Sequence, residues 1–370
     1  MRNKRIIKLL AHACRTILAL TFLLSGFVKT IDPWGTALKV NEYLTIYGWD
    51  ALKPAAMGFS IWLCGAELMM GAMLLFKVRI RLVSIFALLS MIIFTVITFL
   101  SATVLPVEDC GCFGDALKLT PWQTFVKNMI ALPMAFIVWW RYRPDRIFQF
   151  NRLEFTLMCL FFCSSMGLGY YCYRHLPLID FLPYRVGVHI QQAMSEAAEA
   201  EPTDEEETLL IFRNVADGSM RTFTLEDPEW QQNDQWEWVE TQSVSSTNVV
   251  RPLISEFALH NADGDATQEI LSHSGRLYML CVTTFSQIPQ ECSARMKALV
   301  EQATAQGDRV ICLTPEPLYG ETTCWIGDQR VACYNIDAST MKTLLRADNG
   351  LVVLQDGVIE AKYNCLDIKP

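Results

Sequence analysis

The sequence predicts a membrane all-α four-helix bundle plus a fifth transmembrane helix, followed by an extracytoplasmic α/β domain. Three observations predict it. Five apolar runs are each long enough for the roughly 20 residues a bilayer crossing needs. Lysine and arginine gather in alternate loops between those runs. In residues 246–370 short apolar strands alternate with an amphipathic helix.

The runs are roughly Leu10–Lys29, Pro54–Phe76, Leu82–Leu105, Pro121–Trp140 and Phe155–Tyr173. The first has a basic start, "MRNKR", but no small-residue cleavage pattern after it, and four more runs follow, so it reads as an uncleaved helix. Hydrophobic residues make up 52% of the 370, with the excess in the first half. The formal net charge of -8 comes from acidic residues in the second half, and no basic patch suggests nucleic acid.

Orientation follows from the flanks. Arg2, Lys4, Arg5 and Lys8 precede the first run; Lys77, Arg79 and Arg81 join the second to the third; Arg141, Arg143, Arg146 and Arg152 join the fourth to the fifth. The positive-inside rule then puts the N-terminus in the cytoplasm, and five crossings put the chain after Tyr173 outside it. Trp34, Trp49 and Trp122 on one side and Trp139 and Trp140 on the other fit an interfacial aromatic belt. The expected location is the plasma membrane, multi-pass, with lipid as one partner.

Between the third and fourth runs stands "DCGCFGD", with Cys110 and Cys112 one glycine apart. The loop falls on the extracytoplasmic side, which permits disulfides. Gly111 supplies the bend that would bring the two sulfurs together, and a ring so small is strained and readily reduced. Three readings stay open: Cys110 and Cys112 exchange electrons with a partner, each ties to another cysteine, or they hold a metal. Two thiolates without a histidine are too few for a metal site, so none is assigned. Glu108, Asp109 and Asp115 would slow thiolate attack.

Ionisable residues inside apolar runs usually face a partner. Arg15 lies in the first run and Glu67 in the second, and counting about 1.5 Å per residue puts them at similar depth, which predicts an Arg15–Glu67 pair. Lys29 and Lys127 lie near run ends and are expected to snorkel to the interface. Cys64 reads as packing.

Residues 1–150 resemble the DoxX/MauE family of small four-helix membrane proteins, through "CRTILALTFLLSGFVKTIDPWG", "CGAELMMGAMLL" and "CGCFGDALKLTPWQTFVKN". The resemblance implies a four-helix bundle in the plasma membrane. It implies chemistry linked to disulfide formation in maturing a periplasmic dehydrogenase, or to quinone-coupled sulfur oxidation. It places Cys110 and Cys112 on the cysteine motif and Arg15 and Glu67 on the buried charges. No cofactor is assigned beyond the quinone that the resemblance leaves open.

After the fifth run, residues 176–245 read as an acidic linker and a small β-rich segment. "LLIFRNVADGSMRTFTL" suggests two strands about an Asp-Gly turn, and "WEWVETQS" a third. From 246, "RLYMLCVTTF" is a strand, "PQECSARMKALVEQATAQG" a helix ending at Gly307, "RVICLTP" a strand, and "GLVVLQDGVIEAKYN" a hairpin about Asp356-Gly357. This order resembles the thioredoxin-like fold. At the strand-to-helix junction, where that fold carries a catalytic dithiol, Ser286 and Pro289 stand instead, and Asn349 stands where a proline is expected. The domain therefore lacks a CxxC. Cys281 and Cys292 are expected as core residues, with a pair between them as the alternative, and Cys324 with Cys333 as a cross-hairpin disulfide.

The domains are thus 1–150, the four-helix membrane domain; 151–175, the fifth helix; 176–245, linker and β-rich segment; and 246–370, the thioredoxin-like domain. The expected function is a membrane-bound thiol-disulfide or quinone-linked redox protein that assists disulfide formation or maturation of an envelope partner. The alternative is a non-enzymatic scaffold presenting a thioredoxin-fold binding domain.

Overall fold

The computed structural model describes residues 2–104, 111–143, 151–200, 207–214, 220–223, 236–244, 254 and 257–369. Cys110, Glu108 and Asp109 lie outside the described residues. Met1–Val188 and Ala258–Pro370 form one compact unit, and His189–Phe257 a second.

The first unit begins with six helices: α1 Arg2–Ile31, α2 Pro33–Ile46, α3 Ala56–Phe76, α4 Ile80–Thr103, α5 Pro121–Tyr142 and α6 Arg152–Arg174. Local chemistry sets several ends. Asp32 caps α2 by accepting from the Gly35 N–H at 3.1 Å, with Pro33 at the first helical position. Thr120 and Gln123 cap α5 reciprocally, again with a proline, Pro121, at the start. Lys77 and Arg79 take left-handed backbone to turn α3 into α4.

Among the described residues four segments are long and apolar enough to cross a membrane: Arg5–Ile31, Asp50–Phe76, Ile80–Thr103 and Arg152–Arg174. Length and composition therefore support four spans, not the five expected. The run at 121–140 falls short because Gln123, Lys127 and Asn128 dilute its apolar character. It nonetheless packs against α1 and α4, and Ala135, Val138 and Tyr142 join Leu18, Phe22, Leu74 and Met91 in one core.

Helices α1 and α3 approach most closely. A Cβ on Gly26 would strike the Leu68 backbone, and one on Gly71 the Leu23 backbone. The two glycines let the antiparallel helices touch, as small residues do between membrane helices. They also set the register: residue 26 stands beside 68 and residue 23 beside 71.

The second part of this unit is a mixed α/β domain: β4 His260–Asn261, β5 Gly264–Asp265, α8 Thr267–Leu271, β6 Arg276–Val282, α9 Gln290–Gln306, β7 Arg309–Thr314, β8 Thr323–Ile326, β9 Gln329–Asn335, α10 Ala338–Leu344, β10 Asn349–Gln355 and β11 Val358–Asn364. The strand order is β11-β10-β6-β7-β9-β4-β5, with β8 pairing β9. Strands β6, β7 and β9 run parallel, while β10 is antiparallel to β6 and β11. Alternation along β6 sends Leu280 and Val282 to the face covered by α9, where Met296, Leu299 and Val300 meet them. Gly307, at positive φ, ends α9, and Asp356-Gly357, both at positive φ, turn the β10–β11 hairpin.

The second unit holds α7, Ile190–Ala200, and a three-stranded antiparallel sheet of β1 Glu207–Asn214, β2 Met220–Phe223 and β3 Trp236–Val244 in the order β2-β1-β3.

Candidate functional site at the cysteine turn

Gly111 and Gly114 both adopt positive φ, and the Gly114 N–H donates to the Gly111 carbonyl at 3.1 Å. This tight turn carries Cys112, which is half-buried. The Ser25 hydroxyl of α1 donates to the Cys112 carbonyl at 2.5 Å. Phe113 is buried beneath the Lys127 ammonium, 4.6 Å from its ring centroid. Lys127 thus lies over an aromatic face and holds the turn, a cation–π contact.

Behind the turn lies a buried ion pair, and it is not the expected one. Glu67 pairs with Lys29, and both are buried, at 6% and 7% exposure. Arg15 donates instead to the Leu74 and Leu75 carbonyls, the second at 2.7 Å. The glycine register explains the correction: opposite residues sum to about 94, so Glu67 faces residue 27, not 15. Arg15 and Glu67 are then about 18 Å apart along the helices. Lys29 accordingly does not snorkel; it turns inward to the carboxylate and lies within Coulomb range of Cys64 and Cys112. The Cys64 thiol donates to the Thr36 hydroxyl at 3.4 Å.

The α/β domain closes the site from the other side. Arg346, 5% exposed, pairs with both Asp32, at 3.1 Å, and Asp115, three residues beyond Cys112. Lys342 stands 4.0 Å from the Trp34 ring centroid while bonding Asp348 at 2.6 Å. Lys362 pairs with Asp180 at 2.6 Å, and His175 meets Asp367 at 2.8 Å. Nothing in the sequence around Arg346 marks it as part of this site, because its two partners are more than 200 positions away.

The six cysteines of the α/β domain form one disulfide, one cluster of three and one separate buried thiol. Cys292, at the start of α9, forms a disulfide with Cys365, with Cα atoms 5.2 Å apart. It therefore does not pair with Cys281, which lies on the opposite face of the sheet and whose thiol burial pushes up to about 12. Cys324 and Cys333 are not disulfide-bonded. They converge with Cys312, which the sequence reading passed over, so that the three sulfurs all lie within 4.8 Å of one another. Hydrogen bonds from Cys312 and Cys324 draw the Cys333 thiol down to about 4, and the same sharing, with burial, pushes Cys312 up. Ser286 lies in a short turn, Phe285–Gln287, and Pro289 caps α9, so no dithiol stands at that junction.

Residues 7–141 match the family described as "Methylamine utilisation protein MauE". The chain is also similar to Protein TlpB of Flavobacterium psychrophilum, with 29% identity over 128 residues, 33% of this chain and 34% of that protein. The chain thus spans about a third of the length of the curated relative it matches. No solved structure matches it significantly. The helical region is accordingly MauE-like, and the chain is a membrane protein with several apolar helices.

Proposed function

We propose that this chain is a membrane-bound thiol-disulfide oxidoreductase in which Cys110 and Cys112 form the exchange pair and an envelope protein is the client. In this reading the helical region is a DoxX/MauE-like bundle crossing the plasma membrane. With α5 counted as a fifth crossing beside the four apolar spans, the N-terminus is cytoplasmic and the thioredoxin-like α/β domain lies outside. The observation that carries it is the turn at Gly111–Gly114, which presents Cys112 half-exposed and is braced from three sides. The disulfide would take two electrons and two protons from a client dithiol, leaving two thiols on the loop and one disulfide on the client.

In the same reading a quinone would bind at this end of the helices. The Thr30 hydroxyl and the Trp34 indole N–H are buried without a partner and would donate to its carbonyl oxygens. When bound, a quinone accepts two electrons and two protons. Thr30 and Trp34 would orient it, and Trp34 is itself held by Lys342 and Tyr173.

The test is differential alkylation in intact oxidised cells. Cys110 and Cys112 should be protected until a reductant is added, and Cys110→Ser should leave Cys112 open to label without it. Free labelling of both in the untreated wild type would remove the proposal. A second reading rests on Ser286 and Pro289 at the junction: the α/β domain binds a client without reacting with it, and the chain is a scaffold. Wild-type activity persisting in the Cys110→Ser/Cys112→Ser double variant would favour that scaffold.

A further inference from the structure

We propose that Cys312, Cys324 and Cys333 form a three-coordinate thiolate site for Cu(I) in the core of the α/β domain. The three come from neighbouring strands, β7, β8 and β9. Cys312 and Cys333 are direct partners across the parallel β7–β9 ladder. Cys324 arrives from the β8–β9 hairpin, where it pairs Val331. All three side chains are buried, and their sulfurs lie within 4.8 Å of one another.

The size fits a metal. Three sulfurs about 2.3 Å from a central ion in a plane stand about 4 Å apart, so the trio needs only a sub-ångström closure. The donor set fits one kind of metal. Thiolates select soft ions, and structural Zn(II) is almost always four-coordinate. In this core the remaining cysteines, Cys292 and Cys365, are locked in a disulfide, and the three share their hydrophobic cluster with Leu280, Leu299, Ile326 and Val331. Among the described residues no histidine or carboxylate joins the group. A three-sulfur, apolar cage suits Cu(I), which accepts trigonal thiolate coordination and loses little by being kept from water. The contrast with Cys292–Cys365 matters too: the same core closes one disulfide and leaves these three sulfurs unbonded. The site is separate from the cysteine turn, so the proposal does not depend on the exchange reading.

The test is anaerobic titration of the full-length protein in detergent with Cu(I), against bicinchoninate as the coloured competitor. One Cu(I) per chain should bind, with near-ultraviolet thiolate-to-copper absorption. In denaturant sufficient to open the buried core, Cu(I) should also slow maleimide labelling of Cys312, Cys324 and Cys333 in the wild type, a readout needing no variant. Cys324→Ser, at the hairpin edge, should lower affinity more than about a hundredfold, since it removes a ligand outright. Cys110→Ser/Cys112→Ser should leave the binding intact. Three results would overturn the site: unchanged stoichiometry and absorption in Cys324→Ser, a disulfide within the trio on non-reducing peptide mapping, or Zn(II) that Cu(I) fails to displace.

Discussion

Replacing Lys29 with Met would strand the Glu67 carboxylate in the helical core. Breaking a buried pair by removing one partner costs about 3–5 kcal/mol, because the remaining charge has no counter-ion. Thermal unfolding in detergent should show a large fall for Lys29→Met, and most of it should return in Lys29→Met/Glu67→Leu, where no charge is left behind. A charge swap of Arg15 and Glu67 should restore nothing, since Arg15 serves the Leu74 and Leu75 carbonyls. That two buried charges exist in the first and second runs is legible from the sequence. Their partners are not, because a pairing between helices depends on register, and register here follows from Gly26 and Gly71 rather than from distance along the chain.

Elements differ in how much they reveal of themselves. The β10–β11 hairpin and helix α9 stand where the sequence puts them, since each ends on a local signal, Asp356-Gly357 or Gly307, that needs nothing remote. The convergence of Cys312 with Cys324 and Cys333 is invisible at that level, because it takes the order of three strands to bring them together. The run at 121–140 reads as a crossing by its flanks, yet its polar residues lower it below the other four, and Asn128 uses its amide on Thr98 of α4 at 3.3 Å. At the α1–α3 contact, Gly26→Ala should cost about 1–3 kcal/mol through overpacking against Leu68, measured as a lower midpoint of unfolding. The Cys292–Cys365 bridge closes a separation of 73 positions, so Cys365→Ser should lower the stability of the α/β domain by about 2–4 kcal/mol in the oxidised protein. The same variant should match wild type once both are reduced.

For the molecule as a whole, the contacts around Arg346, Lys342, Lys362 and His175 join the helical region to the α/β domain in one unit. Arg346→Leu should leave Asp32 and Asp115 as two partly buried carboxylates without this cation. Hydrogen exchange and maleimide labelling at residues 111–116 should then rise, while the core of the sheet keeps its protection. Protection of that segment unchanged in the variant would mean the turn holds its shape by itself. The Asp115–Arg346 pair spans 231 positions. During synthesis, then, the ribosome releases the cysteine turn long before it makes the arginine that braces it. A nascent chain carries both aspartates uncompensated until Arg346 is made, so a product stopped before that residue would present Cys112 on an unbraced turn.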